Sequence, residues 1–429
     1  MTRDFRLFQG GQVASAFGSV FTVIAVPLVA VQYLGASPAE TGFLVAAGSL
    51  PLPLLGLFIS SLVDRLRSRR RVLIACDLTV AAALGLTIVS MLTGRLSIWA
   101  LGALVFVIGT VGVMVETLYL VYLKTIVGTG DIVKARARLN RGEYVGGTLG
   151  RALAGPAAAL GPVVPFVVDT VSRLISAGTT ALIRTPERPA QQARQERSFA
   201  HELGAGFRSL WGQPFLRALV PFLVGQQLVM GMTLALVAPY VLKVLHVPAQ
   251  WYGLLFVLLG VAGVTGTFLS ELLSRRLNTE RLTMVGLIGG AIGTVALPLA
   301  GGPVLVAAIT AGLGIGLPYL FGAIANVGLL GFVTIRIPEE VLGRLSVSVQ
   351  LLTAAGAFAG ALVGGALGQQ AGIVPTLWVA CGVSAVSMLL LLPVLRVMRA
   401  GDERTPDHAP AAAPAAVPVA EGGDAERPA

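Results

Sequence analysis

The sequence predicts an all-α integral membrane protein, with twelve transmembrane helices in two six-helix, pseudo-symmetric bundles. Three observations carry this expectation. Of 429 residues, 55% are hydrophobic and 12% charged, against about 25% charged in a typical soluble domain. Mean hydropathy is +0.82. Apolar runs recur at 8–34, 38–63, 72–92, 97–123, 143–162, 163–183, 215–244, 248–273, 282–300, 303–334, 345–368 and 372–395, and a bilayer crossing takes about 20 residues. Residues also repeat at an offset of 210, pairing Phe5 with Phe215, Pro38 with Pro248, Gly56 with Gly266, Ser60 with Ser270, Arg65 with Arg275 and Arg71 with Arg281. Such a repeat is expected of parallel halves related by an axis along the membrane normal.

The first run begins near Phe8, after Arg3 and Arg6, and continues to Tyr33 without a small-residue cleavage site leading into a soluble domain. It is read as a retained helix rather than a signal peptide. Basic residues then divide by loop parity. Arg65 to Arg71, Lys134 to Arg141, Arg184 to Arg217, Arg275 to Arg281, and Arg336 with Arg344 follow even-numbered runs, whereas the odd-numbered loops hold only Arg95 and Lys243. Short basic loops stay on the cytoplasmic side during insertion, so both termini are expected inside. The divisions expected are an N-terminal bundle over 1–183, a cytoplasmic linker over 184–213, a C-terminal bundle over 214–398 and a low-complexity, disordered tail over 399–429. Within the linker, Phe199, Leu203, Phe207, Leu210 and Trp211 fall on one face of a possible interfacial helix.

The stretch from Ser60 to Arg71 carries five arginines and Asp64 between two apolar runs. A basic loop alone explains the arginines but not the acid. Asp64-Arg65 followed by a basic cluster resembles the loop between the second and third helices of the major facilitator superfamily, with Ser60 and Arg67 where that signature usually has glycine. In the second repeat Ser274 takes the place of Asp64. Val133 to Leu139, Gly155-Pro156, Val168 to Ser172 and Leu342-Gly343-Arg344 are similar to a bacterial branch with enterobactin-type siderophore exporters and macrolide efflux proteins. Arg136, Arg151 and Arg173 depart from that branch. The resemblance spans about residues 5 to 396 and implies the major facilitator fold, in the inner membrane of a bacterium. It also implies a conformational switch at Asp64, Arg65, Arg71 and Arg344, with Asp64 approaching the start of span eleven.

Charged residues inside spans are costly unless paired or hydrated, so they mark candidate sites. Glu116 and Arg151 lie at matching depths in spans four and five. Two readings stay open: a static salt bridge between helices, or a carboxylate facing the cavity that exchanges a proton or contacts substrate. The resemblance favours the second. Asp169 and Arg173, four apart on span six, have the spacing of a same-face structural ion pair. Asp77 is expected to pair with loop arginines. Gly146, Gly147, Gly150, Gly155 and Pro156 resemble the glycine-proline motif of drug–proton antiporters, which implies helix bending at Gly155 and Pro156; small-residue packing alone also explains the glycines. Gln12, Tyr119, Gln226, Gln227, Tyr319 and Asn326 are the remaining cavity candidates.

Other chemistries find no support. The net charge of +10 is spread over short loops, which suits orientation and anionic lipid rather than nucleic acid. Cys76 and Cys381 fall far apart within spans, and His201, His246 and His408 lie in loops or the tail, so neither a disulfide framework, a metal site nor a haem is expected. No GxxxxGK[ST] phosphate loop occurs. Neither an enzyme nor a cofactor is expected, and no segment calls for an obligatory protein partner. The reading is a secondary transporter that exports an amphipathic drug, secondary metabolite or siderophore by proton antiport. The alternatives are an importer of a nutrient or lipid with the same fold, and a non-transporting membrane scaffold or sensor.

Overall fold

Local capping fixes where the helices begin. Ser37 and Glu40 exchange side-chain and backbone hydrogen bonds in a full capping box, with Pro38 in the first turn; Pro there loses no hydrogen bond and has a helical φ. Ser68 accepts from the Arg71 amide, and Asn278, 210 residues on, accepts from the Arg281 amide. The repeat seen in the sequence is thus a repeat of helix starts.

The computed structural model describes residues 2–64, 66, 68–128, 131–187, 214–336 and 339–402, and all regular structure among them is helical. The helices are α1 (Arg3–Gln32), α2 (Pro38–Ser49), α3 (Pro51–Asp64), α4 (Arg69–Leu92), α5 (Ile98–Val127), α6 (Ile132–Leu160) and α7 (Val164–Ala181) in the first half. The second half holds α8 (Pro214–Pro239), a π-helical turn Tyr240–Val244, α9 (Ala249–Ser274), α10 (Thr279–Val295), α11 (Val304–Arg336), α12 (Glu339–Gln370) and α13 (Ile373–Asp402). Helices α2 and α3 form one span, interrupted next to Pro51, so the described residues hold twelve helical spans. Among the described residues, nine spans are long and apolar enough to cross a membrane by length and composition alone. The other three are α6, which carries six charged residues, α7, whose Asp169 and Arg173 lower its hydropathy, and α10, which has 17 residues.

The main difference from the expected spans is α6, which begins at Ile132 rather than near residue 143. Lys134 to Arg141 are helical because Ala135 and Leu139 are buried in the core formed by Phe5, Phe8, Leu73, Tyr122 and Ile126. Their spacing puts them on one helix face, with Lys134 and Arg138 exposed. Of the linker, only residues 184–187 are described; they are tied to the first half. The amides of Arg184 and Thr185 and the Thr185 hydroxyl all donate to Asp4 Oδ2, at 2.6–3.0 Å. Glu187 accepts from the amides of Arg69 and Arg70, at 2.8 and 2.6 Å, an acid at the helix N-terminus where the macrodipole favours one. The expected interfacial helix around Phe199 and Trp211 lies outside the described residues, as does the tail from 403 onward.

The two halves meet at the end of the molecule opposite the termini. One hydrophobic core there joins Phe21, Ile24, Leu28 and Ala154 to Leu236, Tyr240, Tyr252 and Leu255. Lys243 Nζ donates to the carbonyls of Gly35 and Ala36, at 3.1 and 2.7 Å. Two backbone approaches close the joint: Gly155 of α6 lies against Gln250 and Gly253 of α9, and Gly365 of α12 against Pro38 and Gly42 of α2. A Cβ at Gly155 would overlap the Gln250 carbonyl oxygen, and one at Gly365 would stand 2.9 Å from the Pro38 oxygen. Only glycine fits at either place.

Candidate functional site

Below the joint lies a cavity of about 1240 Å³, lined by α6 of the first half and by α8, α9, α10, α11 and α13 of the second. It runs from Val237, Leu297 and Leu377 near the joint to Leu219, Phe268 and Met388 toward the termini. Helix α6 contributes Arg141, Tyr144, Thr148 and Arg151, whose spacing of three, four and three residues makes one stripe. The next member of that stripe is Gly155, at the joint. Opposite α6, Gln226, Gln227, Tyr319 and Asn326 supply amides and a phenol within a wall of leucine, phenylalanine, glycine and proline.

Arg151, Gln226, Gln227, Tyr319 and Asn326 therefore share one cavity, and Glu116 and Tyr119 do not line it. The expected ion pair between Glu116 and Arg151 is absent among the described residues. Glu116 is exposed on α5, whereas Arg151 reaches toward Gly260 of α9. Matching depth was insufficient, because helix rotation decides which way each side chain points. Tyr119 instead donates to Glu143 Oε1 at 3.0 Å, joining α5 to α6. Glu143 carries no signal of its own in the sequence, where it stands at the first position of the expected fifth span, next to the basic residues Lys134 to Arg141. Gln9 Nε2 donates to the Arg138 carbonyl, at 3.2 Å, on the same side of α6 as the early turns of α1.

Asp169 and Arg173 lie 3.3 Å apart across one turn of α7. Among the described residues Asp77 pairs with no loop arginine; its carboxylate lies 3.5 Å from Arg173 Nη1. Thr22 of α1 donates to Asp169 Oδ2 at 2.6 Å, so the cluster locks α1, α4 and α7 together. Both acids are buried, Asp169 fully. Helix α6 passes through Pro156 and ends at Leu160, and Pro156 itself is exposed.

Of the switch residues, Asp64 closes α3, Arg71 lies exposed in the first turn of α4, and Arg344 lies near the start of α12. Arg65 and the side chains of Asp64 and Arg344 lie outside the described residues. Helices α3 and α12 are neighbours, which brings the two backbone positions to the same end of adjacent helices. Among the described residues, no three His, Cys, Asp or Glu side chains gather as a metal site would need.

Comparisons with known proteins agree on the fold. The structure is similar to a variant of the nucleoside transporter NupG (TM-score 0.74, 12% identity, 92% of this chain and 98% of that one). It is also similar to a bacterial homologue of the human lysosomal transporter Spinster in an inward-facing, unoccupied conformation (0.69, 13%, 93% and 99%). A third is a bacterial homologue of the iron transporter ferroportin in its inward-facing state (0.68, 17%, 92% and 98%). Identities this low speak to fold alone. No curated protein sequence matches the chain. The profile of the Major Facilitator Superfamily matches residues 10–328, about three quarters of the sequence, and with twelve spans in two repeated halves around one cavity the chain belongs to that superfamily of membrane transporters.

Proposed function

We propose that this transporter moves an amphipathic small organic molecule out of a bacterial cell by alternating access, in exchange for protons. The observation that carries the reading is the cavity, whose walls are largely apolar with separate amides, hydroxyls, two phenols and two arginines, the polar groups coming from both halves. Such a wall holds a bulky ligand by shape and a few oriented hydrogen bonds. It leaves the dense polar surface of a sugar without enough partners. Outward direction follows the resemblance to the siderophore and macrolide exporters, and the parity of the basic loops supports cytoplasmic termini in the inner membrane.

Two acids of the first half are candidates for the proton. Glu116 is exposed and has no ion-pair partner among the described residues. Glu143 is half-buried on the helix that carries Arg151 and receives the Tyr119 hydroxyl. The geometry favours Glu143, since α6 touches the cavity, the joint and this carboxylate. The switch role proposed for Asp64, with Arg65, Arg71 and Arg344, rests on the resemblance and on the adjacency of α3 and α12.

Efflux from energised cells, with and without the protein, tests the reading when retained compounds are compared by untargeted mass spectrometry. A depleted amphipathic compound is expected. Net accumulation of a compound in cells that make the protein would establish an importer instead. Proteoliposomes with an imposed pH gradient then separate the acids: Glu143→Gln loses gradient-driven movement while Glu116→Gln keeps it, and the opposite result returns the role to Glu116. Asp64→Asn is expected to slow turnover without lowering the yield of folded protein; unchanged turnover would remove the switch role.

A further inference from the structure

We infer that the transported molecule is an organic anion, whose charged group sits against Arg151 and the Tyr319 hydroxyl. The inference rests on the transport reading and specifies the substrate class of the same cavity. Among the described residues that line it, the charged ones are Arg141 and Arg151, and none is Asp or Glu. Arg141 is exposed toward the termini, while Arg151 stands two to three turns deeper on the same stripe.

Arg151 has no ion pair or hydrogen bond among the described residues. Its Nη1 extends across to α9, where a Cβ at Gly260 would lie 3.4 Å from it, so the absence of a side chain there leaves room for the guanidinium. A cation at this depth in an apolar wall costs several kcal/mol unless hydrated or neutralised. Among the described residues, the other deep arginine, Arg173, is neutralised by two carboxylates, and none pairs with Arg151. Tyr319 lines the same cavity as Arg151, and the partner of its hydroxyl is the Met230 sulfur at 3.5 Å, a weak acceptor that an anion displaces readily. Arg151 comes from the first half and Tyr319 from the second, so a bound carboxylate, sulfonate or phosphate joins the halves by charge-assisted hydrogen bonds. Arg141 sets the sign of the field nearer the termini, and a cleft of one sign concentrates ligands of the other.

The test is equilibrium binding to the purified protein in phosphatidylcholine nanodiscs, with empty discs as background. Three dyes share one scaffold: dansylglycine, which is anionic, its neutral amide, and the cationic monodansyl ethylenediamine. Dansylglycine is expected to bind at least about tenfold more tightly than the amide, with the amine weakest. Arg151→Gln should bring the anion and amide to within about threefold, Arg151→Lys should keep most of the preference, and Tyr319→Phe should lower it in part. Binding of the amide by each variant reports that the cavity is intact. Equal binding of the three dyes, or preference for the amine, overturns the anion inference and leaves the transport reading standing. An undiminished anion preference in Arg151→Gln removes the assignment to Arg151. Loss of dye binding in discs made half of phosphatidylglycerol would give the site to a lipid headgroup and overturn the solute. If no dye binds above empty discs while efflux is intact, the inference falls alone; if efflux is absent too, both fall.

Discussion

Arg173 shares its guanidinium between Asp169, on its own helix, and Asp77, on α4. Removing it leaves two carboxylates that are 0% and 7% exposed without their cation. Breaking a buried charge pair from one side costs about 3 to 5 kcal/mol. Arg173→Gln should therefore lower the melting temperature in detergent far more than Asp77→Asn, which leaves the Asp169 contact in place; equal effects would show that the Asp169 contact contributes nothing of its own. The Asp169–Arg173 contact was legible because a spacing of four is local and belongs to any helix. The Asp77 contact was not, because it depends on how α4 and α7 pack. Glu116 and Arg151 fail to meet for the same reason: depth along a helix can be counted from sequence, but rotation about its axis is set by packing.

At the scale of the helix, apolar runs located every span, since in lipid the hydrocarbon thickness itself sets the length. The start of α6 was hidden because Lys134, Arg136 and Arg138 dominate the hydropathy there. The signal that finds it is periodic: Ile132, Ala135 and Leu139 recur at helical spacing and face the core. Helix α4 begins differently, on an acid contributed from far along the chain. Glu187 holds the Arg69 and Arg70 amides, and the Arg70 guanidinium donates to the Ile183 carbonyl. Glu187→Ala should loosen this helix start by about 1 kcal/mol. Hydrogen exchange at the amides of Arg69 and Arg70 should then quicken about fivefold without a change in the middle of α4; unchanged exchange would mean that Ser68 suffices as the cap.

For the whole molecule, the 210-residue repeat is the feature that sequence conveyed best, because it fixes helix order, loop parity and the matching caps at Ser68 and Asn278 together. The cavity was legible only as a set of polar residues within spans; that Arg151, Tyr319 and Asn326 converge requires the second half to fold against α6. Orientation can be checked directly. A reporter fused after Arg95 should be external and one inserted near residue 200 internal, and the reverse pattern would invert the proposed direction of transport.

Gly155 and Gly365 stand 210 residues apart, at equivalent places in the two halves, and each touches the opposite half with bare backbone. The alternating access proposed for this transporter requires these contacts to part in the other arrangement, so a methyl group added at either would be a wedge felt in only one of two states. Overpacking of this kind costs about 1 to 3 kcal/mol, which corresponds to a change of roughly 5- to 150-fold in the ratio of states. The contacts are separate and share no partner, so the effects of Gly155→Ala and Gly365→Ala should add. Spin-label distances across the joint would show the longer separation gaining population in each single variant and dominating in the double. Two absent methyl groups would then contribute to the resting ratio of the two arrangements alongside the other contacts of the joint.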